Sequence, residues 1–181
     1  MSYWISSLKT IAAIVAIALG ARLAVPLPGS PVPVTLQTLV VLLVGVLLGG
    51  EWGALAVGLY LVAGALGLPV FAAGEAGLGH LLGPAGGFLF GFVAAAWLVG
   101  RLAEMDLGAR LHTAAGSMLL GHAMIFAAGV PWLGLAVGWG RAVSGGLLPF
   151  LPGAVVKSLL AALLWWGWQR RRAEARVGDQ P

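Results

Sequence analysis

Residues Pro31-Val-Pro-Val-Thr-Leu-Gln-Thr38 put two prolines, two threonines and a glutamine at the mouth of a run, 39–48, made only of leucine, valine and one glycine. The run is hydrocarbon and reads as a membrane span. A segment that only crosses a bilayer has no need of Gln37. A buried amide without a partner costs roughly 1–3 kcal/mol on protein mutational scales, so Gln37 calls for a neighbour or a ligand.

The rest of the chain agrees with a membrane setting. Of its 181 residues, 60% are hydrophobic and 9% charged, and the mean hydropathy is +1.00. A soluble domain carries about a quarter charged residues, so this chain lacks the polar surface to face water. Its length suits a single membrane domain over 1–181 and leaves no room for a sizeable soluble one. With no cysteine, disulfides, thiolate metal sites and cysteine nucleophiles are excluded. The net charge of +4 is no nucleic-acid signal, because four arginines (Arg170, Arg171, Arg172 and Arg176) form a basic tail over 169–181, a topology anchor. Lys9 followed by an apolar run to Leu19 imitates a signal peptide; its continuation toward 31–38 favours a first membrane helix.

Spans need about 17–25 mainly apolar residues. Six are expected, at 8–25, 34–50, 52–68, 85–103, 111–129 and 146–168, giving an all-α bundle of six transmembrane helices. Pro69 stops the third, and Gly49-Gly50 is a tight turn. Three longer, Gly- and Pro-rich connections, 26–33, 69–84 and 130–145, fall on one side, the termini on the other. The termini side holds Lys9, Arg101, Arg110 and the four tail arginines; the other holds Arg22 and Arg141. The positive-inside rule puts both termini in the cytoplasm. Trp52, Trp132, Trp139, Trp165, Trp166 and Trp168 fall near span ends, as interfacial tryptophans do. The chain is too short for two inverted transporter repeats and has no Walker motif, so transport would draw its energy from another protein.

Several residues ask for a role. Ala12, Ala16 and Gly20 form a row of small residues that lets a helix approach closely, either inside the bundle or as a docking face for a partner. Segment 69–88 is apolar yet unsuited to a regular helix; at membrane depth such backbone is tolerated only when buried or lining a cavity. Glu75 and His80 are its only charge and its only imidazole. Lys157 falls within the last span, where an insertion penalty of roughly 2.5–3.5 kcal/mol marks a cavity or partner contact, or snorkelling to the interface. Tyr60, mid-span, needs a partner for its hydroxyl. Ser117 and His122 stand five apart, on different helical faces, with no acidic orienter. Neither a hydrolase nor a zinc site from His112 and His122 follows, and the chain reads as no enzyme.

Four motifs in order, Pro31–Thr38, Gly64-Ala-Leu-Gly-Leu-Pro-Val-Phe71, Leu82-Gly-Pro-Ala-Gly-Gly-Phe88, and Leu148-Pro-Phe-Leu-Pro-Gly153 with Lys157, resemble the BioY family. Its members are the biotin-specific substrate-binding S components of energy-coupling factor (ECF) transporters. The resemblance spans roughly residues 10–165. It implies a six-helix bundle in the cell membrane that captures biotin from outside and needs no cofactor. It also implies a coupling transmembrane protein and two ATPases as partners, docked at Ala12, Ala16 and Gly20. For biotin it implies a site between spans two, three, four and six. Gln37 with Thr35 would answer the ureido ring, and Tyr60, Phe71 and Phe88 would wall the fused rings. Lys157 with the N–H groups of Gly86 and Gly87 would hold the carboxylate. Where the family pattern has an acidic residue after the Pro-Gly, this chain has Ala154, and Glu75 is the candidate substitute. A stand-alone vitamin permease and an S component for another small carboxylated vitamin stay open as alternatives.

Overall fold

The prolines at 26, 28, 31 and 33 decide how the chain turns back after its first helix. The protein is described here from a computed structural model covering residues 2–178, with side chains from Ser7 to Ala175. The Arg176 side chain and residues 179–181 of the expected tail lie outside the described residues. Helix α1 (Ser2–Arg22) gives way to strand β1 (Ala24–Val25), which pairs antiparallel with β2 (Val34–Thr35). Residues before proline are pushed to extended backbone, so Val25 and Val32 cannot continue a helix. The expected spans at 8–25 and 34–50 therefore lose their outer ends to a small hairpin. Ser30 stiffens its turn, accepting from the Val32 N–H at 3.1 Å and donating to the Val32 carbonyl at 2.8 Å.

Helix α2 (Gln37–Leu48) has only 12 residues, about 18 Å at 1.5 Å per residue, against a hydrocarbon core of about 30 Å. Gly49 ends it at φ 85° and α3 (Gly50–Ala65) follows at once; that backbone conformation belongs to glycine. The Glu104 carboxylate accepts from the Gly50 N–H at 2.9 Å and pairs with Arg101 at 2.7 Å, capping α3 from a neighbouring helix. Beyond α3 come a 3-10 turn at Ala72–Gly74 and the single-turn helix α4 (Leu78–Leu81).

Helix α5 (Gly86–Glu104) is the centre of the bundle and packs on α2, on α3 and on α6 (Leu111–Val137). Small residues make that possible. A methyl on Gly45 would stand 2.5 Å from the Ala96 carbonyl, and one on Gly100 would meet the backbone of Gly49 and Gly50. Helix α6 runs through Pro131, so the expected loop at 130–145 is instead helix up to Val137, followed by α7 (Trp139–Gly146). An interior proline costs about 3 kcal/mol. Close packing offsets it here, since Gly87 and Gly91 bring α5 against Ile125, Ala128 and Trp132. After a 3-10 turn at Leu148–Phe150, helix α8 (Leu151–Gly178) starts five residues later than expected, with Pro152 in its first turn, where proline is tolerated. It continues through much of the basic tail, Arg170 and Arg172 stacking on Trp166 and Trp168 at 5.0 and 4.0 Å. Trp165, expected at the interface, is instead buried against Gly108.

Among the described residues, α5, α6 and the stretch Trp139–Ala175 are long and apolar enough to cross a membrane; α2 and α3 are shorter apolar helices. The chain is a mainly helical, multi-pass membrane protein.

Gly100→Ala should lower the thermal unfolding temperature in detergent, since overpacking costs about 1–3 kcal/mol. Gly58→Ala, on a helix face open to space, should leave it unchanged or raise it, because alanine is the better helix former by up to about 1 kcal/mol. A Gly100→Ala protein as stable as wild type would contradict the backbone-to-backbone packing.

Candidate functional site

The shortness of α2 has a purpose. Its missing outer turn is replaced by the extended residues Val34–Thr35, and Thr35 lines a cavity. The cavity encloses about 60 Å³, well below the roughly 300–1,000 Å³ of sites that engulf drug-sized molecules, so admitting a ligand requires its walls to move. Val32, Pro33, Ala72 and His80 form the loop side. Thr35, Gln37 and Thr38 come from β2 and α2, and Phe88, Leu89 and Phe92 from α5. His122, Ile125 and Phe126 come from α6, while Phe150, Ala154 and Lys157 close the wall at the start of α8.

One hydrogen-bonded chain crosses this site. Lys157 Nζ donates to the Thr35 carbonyl at 3.1 Å. Thr35 Oγ1 donates to Gln37 Oε1 at 3.2 Å and accepts from the Gln37 N–H at 3.3 Å. Gln37 Nε2 donates to the Tyr60 hydroxyl at 2.7 Å, which donates to the Val70 carbonyl at 3.0 Å. Helix α8, the hairpin, α2, α3 and the loop after α3 are thereby tied by polar groups at membrane depth. Lys157 is 9% exposed; among the described residues the only ion pair joins Arg101 and Glu104, so the Lys157 ammonium has no carboxylate partner. An ammonium offers three donors, and a buried charge without a counter-ion is costly.

Of the residues expected at the ligand site, Thr35, Gln37, Phe88 and Lys157 line the cavity. Tyr60 and Phe71 stand behind the wall. Phe71 packs edge-on to Tyr60 at 5.7 Å, stacks on His80 at 5.1 Å and covers Gly64, pinning the loop to α3. With α3 holding the wall from behind, α6 takes the lining position expected of the third span. Glu75 is exposed and does not line the cavity, so it does not fill the position of an acid at Ala154, itself in the wall. It acts on His80 only through space: burial lowers the imidazole pKa from its ordinary 6.5, and the Glu75 charge partly opposes this. Gly86 and Gly87 also lie off the cavity. The Gly86 N–H is bound to the Gly83 carbonyl at 3.0 Å; the Leu81 carbonyl fills the space a side chain at Gly86 would take, and Trp132, which itself donates to the Gly83 carbonyl at 2.9 Å, fills that at Gly87. Ser117 donates to its own helix at Thr113, 3.0 Å away. Ala12 and Ala16 line a separate cleft of about 750 Å³ with Val40, Leu43, Leu47 and Trp168, whereas Gly20 is buried against Gln37 and Val40.

A sequence profile of the BioY family matches residues 5–174. The chain belongs to the BioY family. It is 42% identical over 149 residues to the biotin transporter BioY of Thermotoga maritima, covering 82% of this chain and 86% of that one. It is 34% identical over 168 residues to the biotin transporter BioY of Rhizobium etli, covering 87% and 88%. Its fold is that of a crystal structure of the S-component for biotin from an ECF-type ABC transporter, with a TM-score of 0.84, 23% identity and 93% coverage of both chains. A BioY chain carries transport, not enzymatic chemistry.

His122 and Phe126 are cavity residues of this BioY chain that the motifs did not single out. The signal for His122 was present: Met118, His122, Ile125 and Gly129 form a buried row on α6, and an imidazole in such a row is out of place unless something meets it.

Lys157→Met, which keeps the side chain's bulk and removes the uncompensated charge, should raise the unfolding temperature of the ligand-free protein. Differential scanning fluorimetry in detergent checks this; a lower temperature would mean that the bond to Thr35 outweighs the buried charge.

Proposed function

We propose that this chain is the biotin-capturing S component of an ECF-type transporter. It is a single membrane domain over 1–181, with six spans, both termini in the cytoplasm of a cell whose plasma membrane it crosses, and the 26–36 and 66–85 connections facing outward. The observation that carries the reading is Lys157, a buried cation without a counter-ion at the edge of an apolar cavity. It supports a ligand that combines a carboxylate with an apolar body, and the relatives' names supply biotin.

Lys157 binds the valerate carboxylate. Gln37 shares Thr35 with Lys157 and so stands beside that seat rather than at the far end of an extended ligand. Its amide uses one N–H on Tyr60 and keeps a second, available to the same carboxylate. Phe88, Phe92, Phe126 and Phe150 wall the hydrocarbon chain and fused rings. Entry follows outward movement of the loop bearing Val32 and Pro33 and of the segment held by Phe71, Arg22 anchoring the latter by its bond to the Pro69 carbonyl at 2.9 Å. The cleft along Ala12 and Ala16 receives the coupling transmembrane protein, which with two ATPases supplies the energy; Gly20 serves the packing of α1 on α2.

Two measurements test this. Calorimetry of the purified protein against a panel of small carboxylated vitamins should give binding for biotin, and Lys157→Ala should weaken it about 10–150-fold, as expected for about 1.5–3 kcal/mol of charge-assisted hydrogen bonding. Labelled-biotin uptake in cells lacking other biotin transporters should require the coexpressed coupling protein and ATPases. Ala16→Trp should abolish uptake while sparing binding. Preference for another vitamin would refute the ligand, and undiminished uptake without the partners would refute the ECF assignment.

A further inference from the structure

His122 lies at mid-length of α6 and is 3% exposed. Its Nδ1 is 2.8 Å from Ser158 Oγ on α8, while its Nε2 is buried with no hydrogen-bond partner. The ring belongs to the cavity wall with Phe88, Phe92, Ile125 and Phe126. Apolar neighbours cannot answer an imidazole nitrogen, and a buried polar atom left unmet is disfavoured. Ser158 and α8 hold the ring from one side, so its orientation is set before anything enters. Resting on the biotin reading above, we infer that His122 is a specificity-determining contact whose Nε2 accepts a hydrogen bond from an N–H of the ligand's ring system.

That bond assigns the tautomer: Nδ1 carries the proton and donates it to Ser158 Oγ, 2.8 Å away, and the partnerless Nε2 presents its lone pair to the ligand. The other unmet polar atom among the cavity residues is Thr38 Oγ1, one residue from Gln37. His122 thus supplies an acceptor from α6 beside the α8 wall, where Ala154 offers none. The cavity then presents both kinds of group: donors at Lys157 for the carboxylate, and an acceptor at His122 for a ring N–H. This selects ligands that carry both groups.

The test compares wild type, His122→Leu and His122→Gln as purified full-length proteins, measuring biotin affinity and the unfolding temperature without ligand. His122→Leu should bind biotin at least tenfold more weakly, about 1.4 kcal/mol, with an unfolding temperature no lower than wild type. His122→Gln, whose amide oxygen accepts, should recover much of the loss. Lipoic acid, with a similar carboxylate tail and no N–H, should be affected equally little by either substitution. Wild-type affinity in His122→Leu overturns the inference, as does a loss of affinity accompanied by a lower unfolding temperature and no recovery in His122→Gln, which marks a structural role. If wild type itself fails to bind biotin, the reading of the cavity fails first and the inference with it.

Discussion

The ammonium of Lys157 bound to the carbonyl of Thr35 is the contact on which the site depends. It joins α8 to buried chain that is not helical, and through Thr35, Gln37 and Tyr60 it reaches the loop at Val70. In a low-dielectric setting each link is strengthened by its neighbours, and each would be costly to leave unmet. The same chain of bonds holds the extended residues Val34–Thr35 against the bundle; within a membrane, irregular backbone survives only beside protein or a cavity.

That arrangement is possible because the remaining helices pack with almost no side chain between them. Gly45 and Gly100 bring α2 and α3 onto α5, and Gly87 and Gly91 bring α6 onto its other side. In lipid, where apolar contact with the solvent carries no penalty, close van der Waals packing of small residues supplies the association. Outside the frame formed by α3, α5 and α6 lie the proline hairpin and the loop pinned by Phe71.

The polar residues of the site were legible wherever hydrocarbon surrounded them. Gln37 and Lys157 stand out because a membrane span has no use for an amide or an ammonium, and both line the cavity. Helix ends were less legible. Proline reads locally as a stop, yet Pro131 is carried inside α6 by packing against α5, which no local signal contains, while the prolines at 26–33 shape a hairpin. Glycines mislead in a similar way: Gly86 and Gly87 resemble an anion-binding turn but are small to admit the Leu81 carbonyl and Trp132 respectively. Glu75 looked like a replacement for a missing acid only because distance is invisible in a sequence. His122 was visible but judged by the wrong companions; paired with Ser117 or His112 it has no role, and its partner is Ser158, 36 residues away.

The pairing of Lys157 with a ligand carboxylate is tested most directly by titrating the wild-type protein and Lys157→Met with biotin and with biotinamide, which differs only in lacking the negative charge. Wild type should bind biotin at least tenfold more tightly than the amide, about 1.4 kcal/mol, and Lys157→Met should bind the two alike. Equal affinity of wild type for both ligands would contradict the pairing.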